Sequence, residues 1–276
     1  MTDRSTVRPA ASAGHLYPAD PVVLEQEISL LLESAPPLKT NAVVRGILVP
    51  HSRYSYAAGV AARAYRQILA HRYDTIYLIA VAQAAPFEFV SLFPGSALAT
   101  PLGEIPVRRE RVDALAAASP HIRLSMQGFE AAENALELQL PFLHWLKEAP
   151  RVVPVVVGRQ TAALRDALIE AVDGLPRDEE RLFIGVTNLS SLHPDGTARA
   201  RDQNTMDFIA DYAVEQLWDG VVRRICEMSA VTPAVVAMEL ARRHGADASR
   251  VLLYRNSGDM TGEREQVTGY LAAAFL

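Results

Sequence analysis

The sequence predicts an α/β fold: a single domain spanning 1–276, with a mainly parallel central sheet and helices on both faces. Three observations carry this. Short continuous apolar runs recur along the chain and read as buried strands. Segments with helical spacing alternate with them, as in parallel sheets built through crossover helices. The chain has 276 residues, 50% hydrophobic and 21% charged, ordinary for a soluble domain with a full core.

The buried strands are expected at 42–50, 75–81, 152–157, 182–187 and 251–254. Two further runs, 87–93 and 266–275, read as extra strands, antiparallel at an edge. Helical spacing is clearest over 54–71, where Ala57, Ala61, Tyr65 and Ile68 share a face. Similar spacing marks 162–172, 206–217 and 233–244. The stretch 34–40, with Pro36-Pro37, reads as a loop between a helix and a strand rather than a domain boundary. There is no internal repeat.

Charge and composition exclude some functions. The formal net charge is -5, and the basic pairs Arg223-Arg224 and Arg242-Arg243 are too brief to hold a phosphate backbone, so no nucleic-acid partner is expected. No apolar run approaches the length of a membrane span, and 1–18 lacks an apolar leader core, so no membrane partner is expected either. The one cysteine, Cys226, rules out an intrachain disulfide and suits a reducing compartment. The expected location is the cytoplasm.

In open α/β sheets, ligands sit beyond the carboxyl ends of the strands. Those ends carry the polar residues Pro50-His51, Gln83, and Asn188 followed by Ser190, Ser191 and His193. Side-by-side strands would bring them to one cleft.

Several segments together resemble a known pattern. Pro50-His51-Ser52-Arg53-Tyr54 resembles a proline-histidine-alanine-glycine-tyrosine element. The stretch from Glu133-Asn134 through Leu138-Gln139-Leu140-Pro141-Phe142-Leu143 resembles Glu-His-Ser-Leu-Glu-Val-Gln-Leu-Pro-Phe-Leu. Thr100-Pro101-Leu102-Gly103 matches a third element. Arg8-Pro9-Ala10 with Gly14-His15-Leu16-Tyr17-Pro18 matches an opening, and Ser257-Gly258-Asp259 with Val267-Thr268-Gly269-Tyr270 a close. In this order they resemble the Memo-like family, which includes protein B of the AmmeMemoRadiSam system. The resemblance implies a fold like that of class III extradiol dioxygenases. It also implies a protein partner from a radical-SAM-associated system, and a site of three strand-end histidines with an aspartate, a glutamate-histidine pair and a cysteine nearby.

This chain departs from that site. His51 keeps the first histidine. Gln83 stands at the second, Ser191 at the third, Asn188 at the aspartate, Asn134 at the histidine of the glutamate-histidine pair, and Ser229 near the cysteine; Cys226 falls three residues early. Amides and hydroxyls are poor ligands for iron, copper or zinc but good hydrogen-bonding groups.

The leading expectation is therefore a pseudoenzyme: a non-metal binding or accessory protein, with no cofactor. Its cleft would be lined by His51, Arg53, Tyr54, Gln83, Asn134, Glu137, Asn188, Ser190 and Ser191. The ligand would be a small molecule, anionic if Arg53 turns inward. The alternative is a dioxygenase-like or redox enzyme using iron or copper on a rearranged set of His51, His193 and Glu137. Its catalytic candidates are His51, Glu137 and Asn188. Glu133 and Glu137 are read on one helix face, and Pro141 as the kink or end of that helix. A third reading is a purely structural subunit.

Overall fold

The computed structural model describes residues 6–148, 151–177 and 179–276. The stretch read for a leader is thus described only from residue 6 onward.

Eight strands form the main sheet. In chain order they include Gly46–Val49 (β2), Thr75–Val81 (β3), Val90–Leu92 (β4) and Ile122–Leu124 (β7). The others are Val152–Val157 (β8), Arg181–Val186 (β9), Ser249–Asn256 (β10) and Gly269–Phe275 (β11). The sheet order is β10-β11-β2-β9-β3-β8-β4-β7. The central four, β2, β9, β3 and β8, are parallel to one another. They are also the most continuously apolar, as strands covered on both faces must be. A second, three-stranded sheet joins Val7–Arg8 (β1), Ala97–Thr100 (β5) and Gly103–Pro106 (β6).

The helices are Pro21–Ser34 (α1), Tyr54–Tyr65 (α2), Arg109–Ala118 (α3) and Leu140–Leu143 (α4). Then come Ala162–Asp173 (α5), Asp195–Ala210 (α6), Val214–Val222 (α7), Val231–Arg243 (α8) and Ser257–Thr261 (α9). Helix α1 starts where the Asp20 carboxylate accepts from the backbone N–H groups of Val22 and Val23, with Pro21 in the first turn. It buries Leu24, Ile28 and Leu32 at helical spacing against α2. Helix α2 covers β2, β10 and β11 on one face of the sheet. Helix α8 crosses β2, β9 and β3 on the other, and every residue from Val231 to Ala241 is buried. That is why its sequence shows no polar stripe: it lies between the sheet and the helices α5 and α7.

Some expected elements change. The run 251–254 belongs to β10, an outer edge strand antiparallel to β11, and its side chains are only half buried. The stretch 266–275 becomes β11, antiparallel but interior, because β10 covers it. Likewise β4 runs antiparallel to β8 but is covered by β7. The helix read over 206–217 breaks at Tyr212, whose φ of 54° lies in the left-handed region, and becomes α6 and α7. Glu133 and Glu137 do not share a helix. The chain turns through 130–136, and Glu137 opens a 3-10 turn, Glu137–Gln139. Pro141 neither kinks nor ends a helix; it sits in the first turn of α4, where its missing N–H costs nothing.

Candidate functional site

Three parallel strands end side by side, and the residues that follow them meet. His51 follows β2, Gln83 follows β3 and Asn188 follows β9. The Gln83 side-chain amide lies 3.1 Å from His51 Nδ1. Asn188 bridges His51 in both directions: its Oδ1 accepts from the His51 N–H at 2.9 Å, and its Nδ2 donates to the His51 carbonyl at 2.8 Å. Ser229, just before α8, completes the group. Its Oγ accepts from the Asn188 N–H at 2.9 Å, and its own N–H donates to the Asn188 carbonyl at 3.0 Å.

Glu133 and Gln139 hold this network from below. The Glu133 carboxylate accepts from the backbone N–H groups of Gln83 and Ala84 at 2.8 Å each. It therefore fixes the turn that presents Gln83. Gln139, inside the Leu-Gln-Leu-Pro-Phe-Leu string, donates to the Pro50 carbonyl at 3.1 Å, one residue before His51. Phe142 of the same string stacks on Tyr65 with ring centres 4.6 Å apart. The string thus aligns the strand end through packing and one amide.

The remaining candidates lie elsewhere. Glu137 is fully buried and saturated: it accepts from Arg8 at 2.6 Å, from the Ser12 N–H at 2.6 Å and from the Tyr17 hydroxyl at 2.9 Å. It anchors the N-terminal segment. Tyr54 is a core residue whose hydroxyl donates to the Leu138 carbonyl. Arg53 is exposed and lines an open hollow with His15, Tyr17 and Glu27. Asn134 is half buried beside Glu133. Ser190 is buried, and its N–H donates to Asp202, whose carboxyl desolvation pushes up. Ser191 is exposed, its N–H directed at Glu227. His193 is paired with the same Glu227 at 2.8 Å. Cys226 is buried near the end of α7, where burial pushes its thiol up.

Sequence reasoning underrated Arg8, Glu133 and Gln139. Each sits inside a quoted motif. Nothing in the local pattern says that a glutamate will cap a turn fifty residues away.

His51 keeps some solvent-accessible surface, but the protein around the ring desolvates it and pushes its pKa down to about 4. At neutral pH the imidazole is uncharged. Nδ1 then accepts the Gln83 amide hydrogen and the proton sits on Nε2. A histidine whose folded pKa lies below its ordinary 6.5 binds fewer protons folded than unfolded. Its stability contribution is complete above the ordinary value and lost as pH falls from there toward 4. His244 is pushed down to about 4 as well, first by desolvation and then by Arg181 and Arg177. Melting temperature should therefore fall between pH 6.5 and 4, and less steeply in His51→Gln than in the parent. Parallel curves would show that His51 is not desolvated.

Beside the network opens a hollow of about 360 Å³ at the ends of β3 and β8, lined by Val81, Ala82, Gly158, Gln160, Thr161 and Ser229, among others. Gln160 ties it to the network by donating to the Ser229 carbonyl at 3.1 Å. Arg159, at its rim, pairs with Glu88.

Comparison with known proteins agrees with this architecture. The family model described as "Memo-like protein" matches residues 8–274. A "MEMO1 family protein" of Ignicoccus hospitalis is 30% identical over 288 residues, covering 98% of each chain. One from Aquifex aeolicus is 29% identical, covering 98% of this chain and 99% of its own. Another, from Methanothermobacter thermautotrophicus, is 28% identical over 275 residues. The chain belongs to the Memo-like protein family.

Proposed function

We propose that this Memo-like chain is a non-metal binding or accessory protein, in which the strand-end site has become a neutral hydrogen-bonded network beside an open cleft. One observation carries the reading: the Nδ1 edge of His51 is taken up by the Gln83 amide, and Asn188 is spent on the His51 backbone. Asn188 has both side-chain atoms engaged, and the amide oxygen left on Gln83 would be a weak ligand. Among the described residues no group of three or more His, Cys, Asp or Glu is arranged to hold a metal ion. The alternative set is dispersed, with Glu137 enclosed by Arg8, Ser12 and Tyr17 and His193 turned to Glu227. The donors do not fit iron, copper or zinc, and no redox step is derived from them.

The hollow lined by Gln160, Thr161 and Ser229 supplies space for a small polar molecule. Arg53 does not reach the network, so any preference for an anion would rest on Arg159 instead. A protein partner from a radical-SAM-associated system and a cytoplasmic location belong to the same proposal. No helix among the described residues is long and apolar enough to cross a membrane.

The test is elemental analysis of protein purified without chelator, then titration with ferrous, cupric and zinc ions. Far less than one metal per chain is expected, with no difference between the parent and His51→Ala. About one metal per chain, lost in His51→Ala, would overturn the reading.

A further inference from the structure

At the far end of α2 lies a second hollow. Tyr54 opens α2 next to the strand-end network, and its 12 residues carry the chain about 18 Å away. There the C-terminal turn of α2 faces the loop 34–42. Between them is a half-enclosed hollow of about 250 Å³, lined by Leu38, Thr40, Asn41, Arg66, Gln67 and His71 among others.

Arg66 is the informative residue. Its Nε is buried and has no hydrogen-bond partner. Arg66 is half buried, and no ion pair is formed by it among the described residues. No carboxylate lines the hollow. That Nε is closed to solvent, so a ligand in the hollow would meet the terminal amino groups of the half-buried side chain instead. The guanidinium offers a planar fork suited to the paired oxygens of an oxyanion. Thr40, Asn41 and His71 add hydrogen-bonding groups around it.

The negative end of the helix dipole argues against an anion here, and the local bonding answers it. The Ala62 carbonyl accepts from Arg66, the Ala64 carbonyl from Gln67 and the Tyr65 carbonyl from Ile68. The Arg63 carbonyl accepts from the Gln67 side chain at 2.7 Å. The last carbonyls are therefore satisfied. Gln67 also pins the loop, accepting from the Leu38 N–H at 2.7 Å and donating to the Pro36 carbonyl at 3.0 Å. The wall opposite Arg66 is held in place before any ligand arrives.

We propose that this hollow binds a small oxyanion, a phosphate or a carboxylate, on the Arg66 guanidinium. The site is separate from the strand-end network, so its fate does not depend on the metal question.

The experiment is thermal unfolding of the full chain in series of sodium phosphate and of sodium acetate, at constant ionic strength made up with sodium chloride. At least one of the two anions should raise the melting temperature, and the arm that responds identifies the ligand's head group. Arg66→Ala should weaken the fitted affinity about tenfold or more, as expected for losing a charge-assisted fork, while Arg66→Lys, with charge but no fork, should fall between. Stabilisation by neither anion, or stabilisation unchanged in Arg66→Ala, overturns the proposal. Should Arg66→Ala not fold, an NMR titration of the parent with phosphate and with acetate decides. The amides of Thr40, Asn41 and His71 should move; shifts confined to other regions would refute the site.

Discussion

Arg8→Ala is expected to be among the most destabilising single changes in this protein. Arg8 and Glu137 are 5% and 0% exposed, and their side chains meet at 2.6 Å. Removing the guanidinium leaves the carboxylate with only the Ser12 N–H and the Tyr17 hydroxyl. It also strips donors from the carbonyls of Phe129 and Glu133, which Arg8 reaches at 3.0 and 2.6 Å. Breaking a buried pair from one side costs about 3–5 kcal/mol, or roughly 5–9 °C in melting temperature for a chain of this size. The Arg8→Met/Glu137→Leu double variant should lose less than the two single variants summed, because it strands no charge. A drop of only a degree or two in Arg8→Ala would show that this segment is not held by the pair.

Gly185→Val should be comparably severe for a different reason. Gly185 lies in β9 where α8 crosses. A Cβ there would stand 2.6 Å from the Pro233 carbonyl oxygen, 2.8 Å from Leu48 and 3.1 Å from Ala237. The first of these is backbone and cannot rotate away. The helix would have to lift from the sheet, at about 3 kcal/mol, the upper end of overpacking costs. Gly196 in α6 is the control, since nothing lies within 4 Å of a Cβ built on it. Gly196→Ala should be neutral, or stabilising by up to about 1 kcal/mol. Chemical denaturation of both variants checks the contrast; equal losses would mean that helix–strand approach is not the cause.

The central strands were legible because they obey a local rule. A strand covered on both faces is apolar throughout, and β2, β3, β8 and β9 follow that rule. Strand ends could then be found by eye, which is why His51, Gln83 and Asn188 could be named as neighbours. What the sequence hid was set by distant contacts. Whether 251–254 is interior or edge depends on which strand pairs beside it, and its composition suits both. The break at Tyr212 rests on one left-handed residue in an otherwise helical pattern. Glu137 looked catalytic because a glutamate between two leucines demands an explanation. The explanation was Arg8, 129 positions earlier. Thr100-Pro101-Leu102-Gly103, one of the segments that carry the family resemblance, is the turn between β5 and β6, where Thr100 Oγ1 accepts from the Leu102 N–H and Gly103 takes a φ of 128°.

The two-way bond between Asn188 and the His51 backbone also bears on how this site can change over time. An amide satisfies both the N–H and the carbonyl of His51. An aspartate, which the family resemblance puts at this position, can accept but cannot donate. A mutation to aspartate would leave that carbonyl without its donor and set a charge beside a desolvated ring. The network therefore ties the choice of residue at 188 to the His51 backbone: a carboxylate is tolerated there only if another donor reaches the His51 carbonyl.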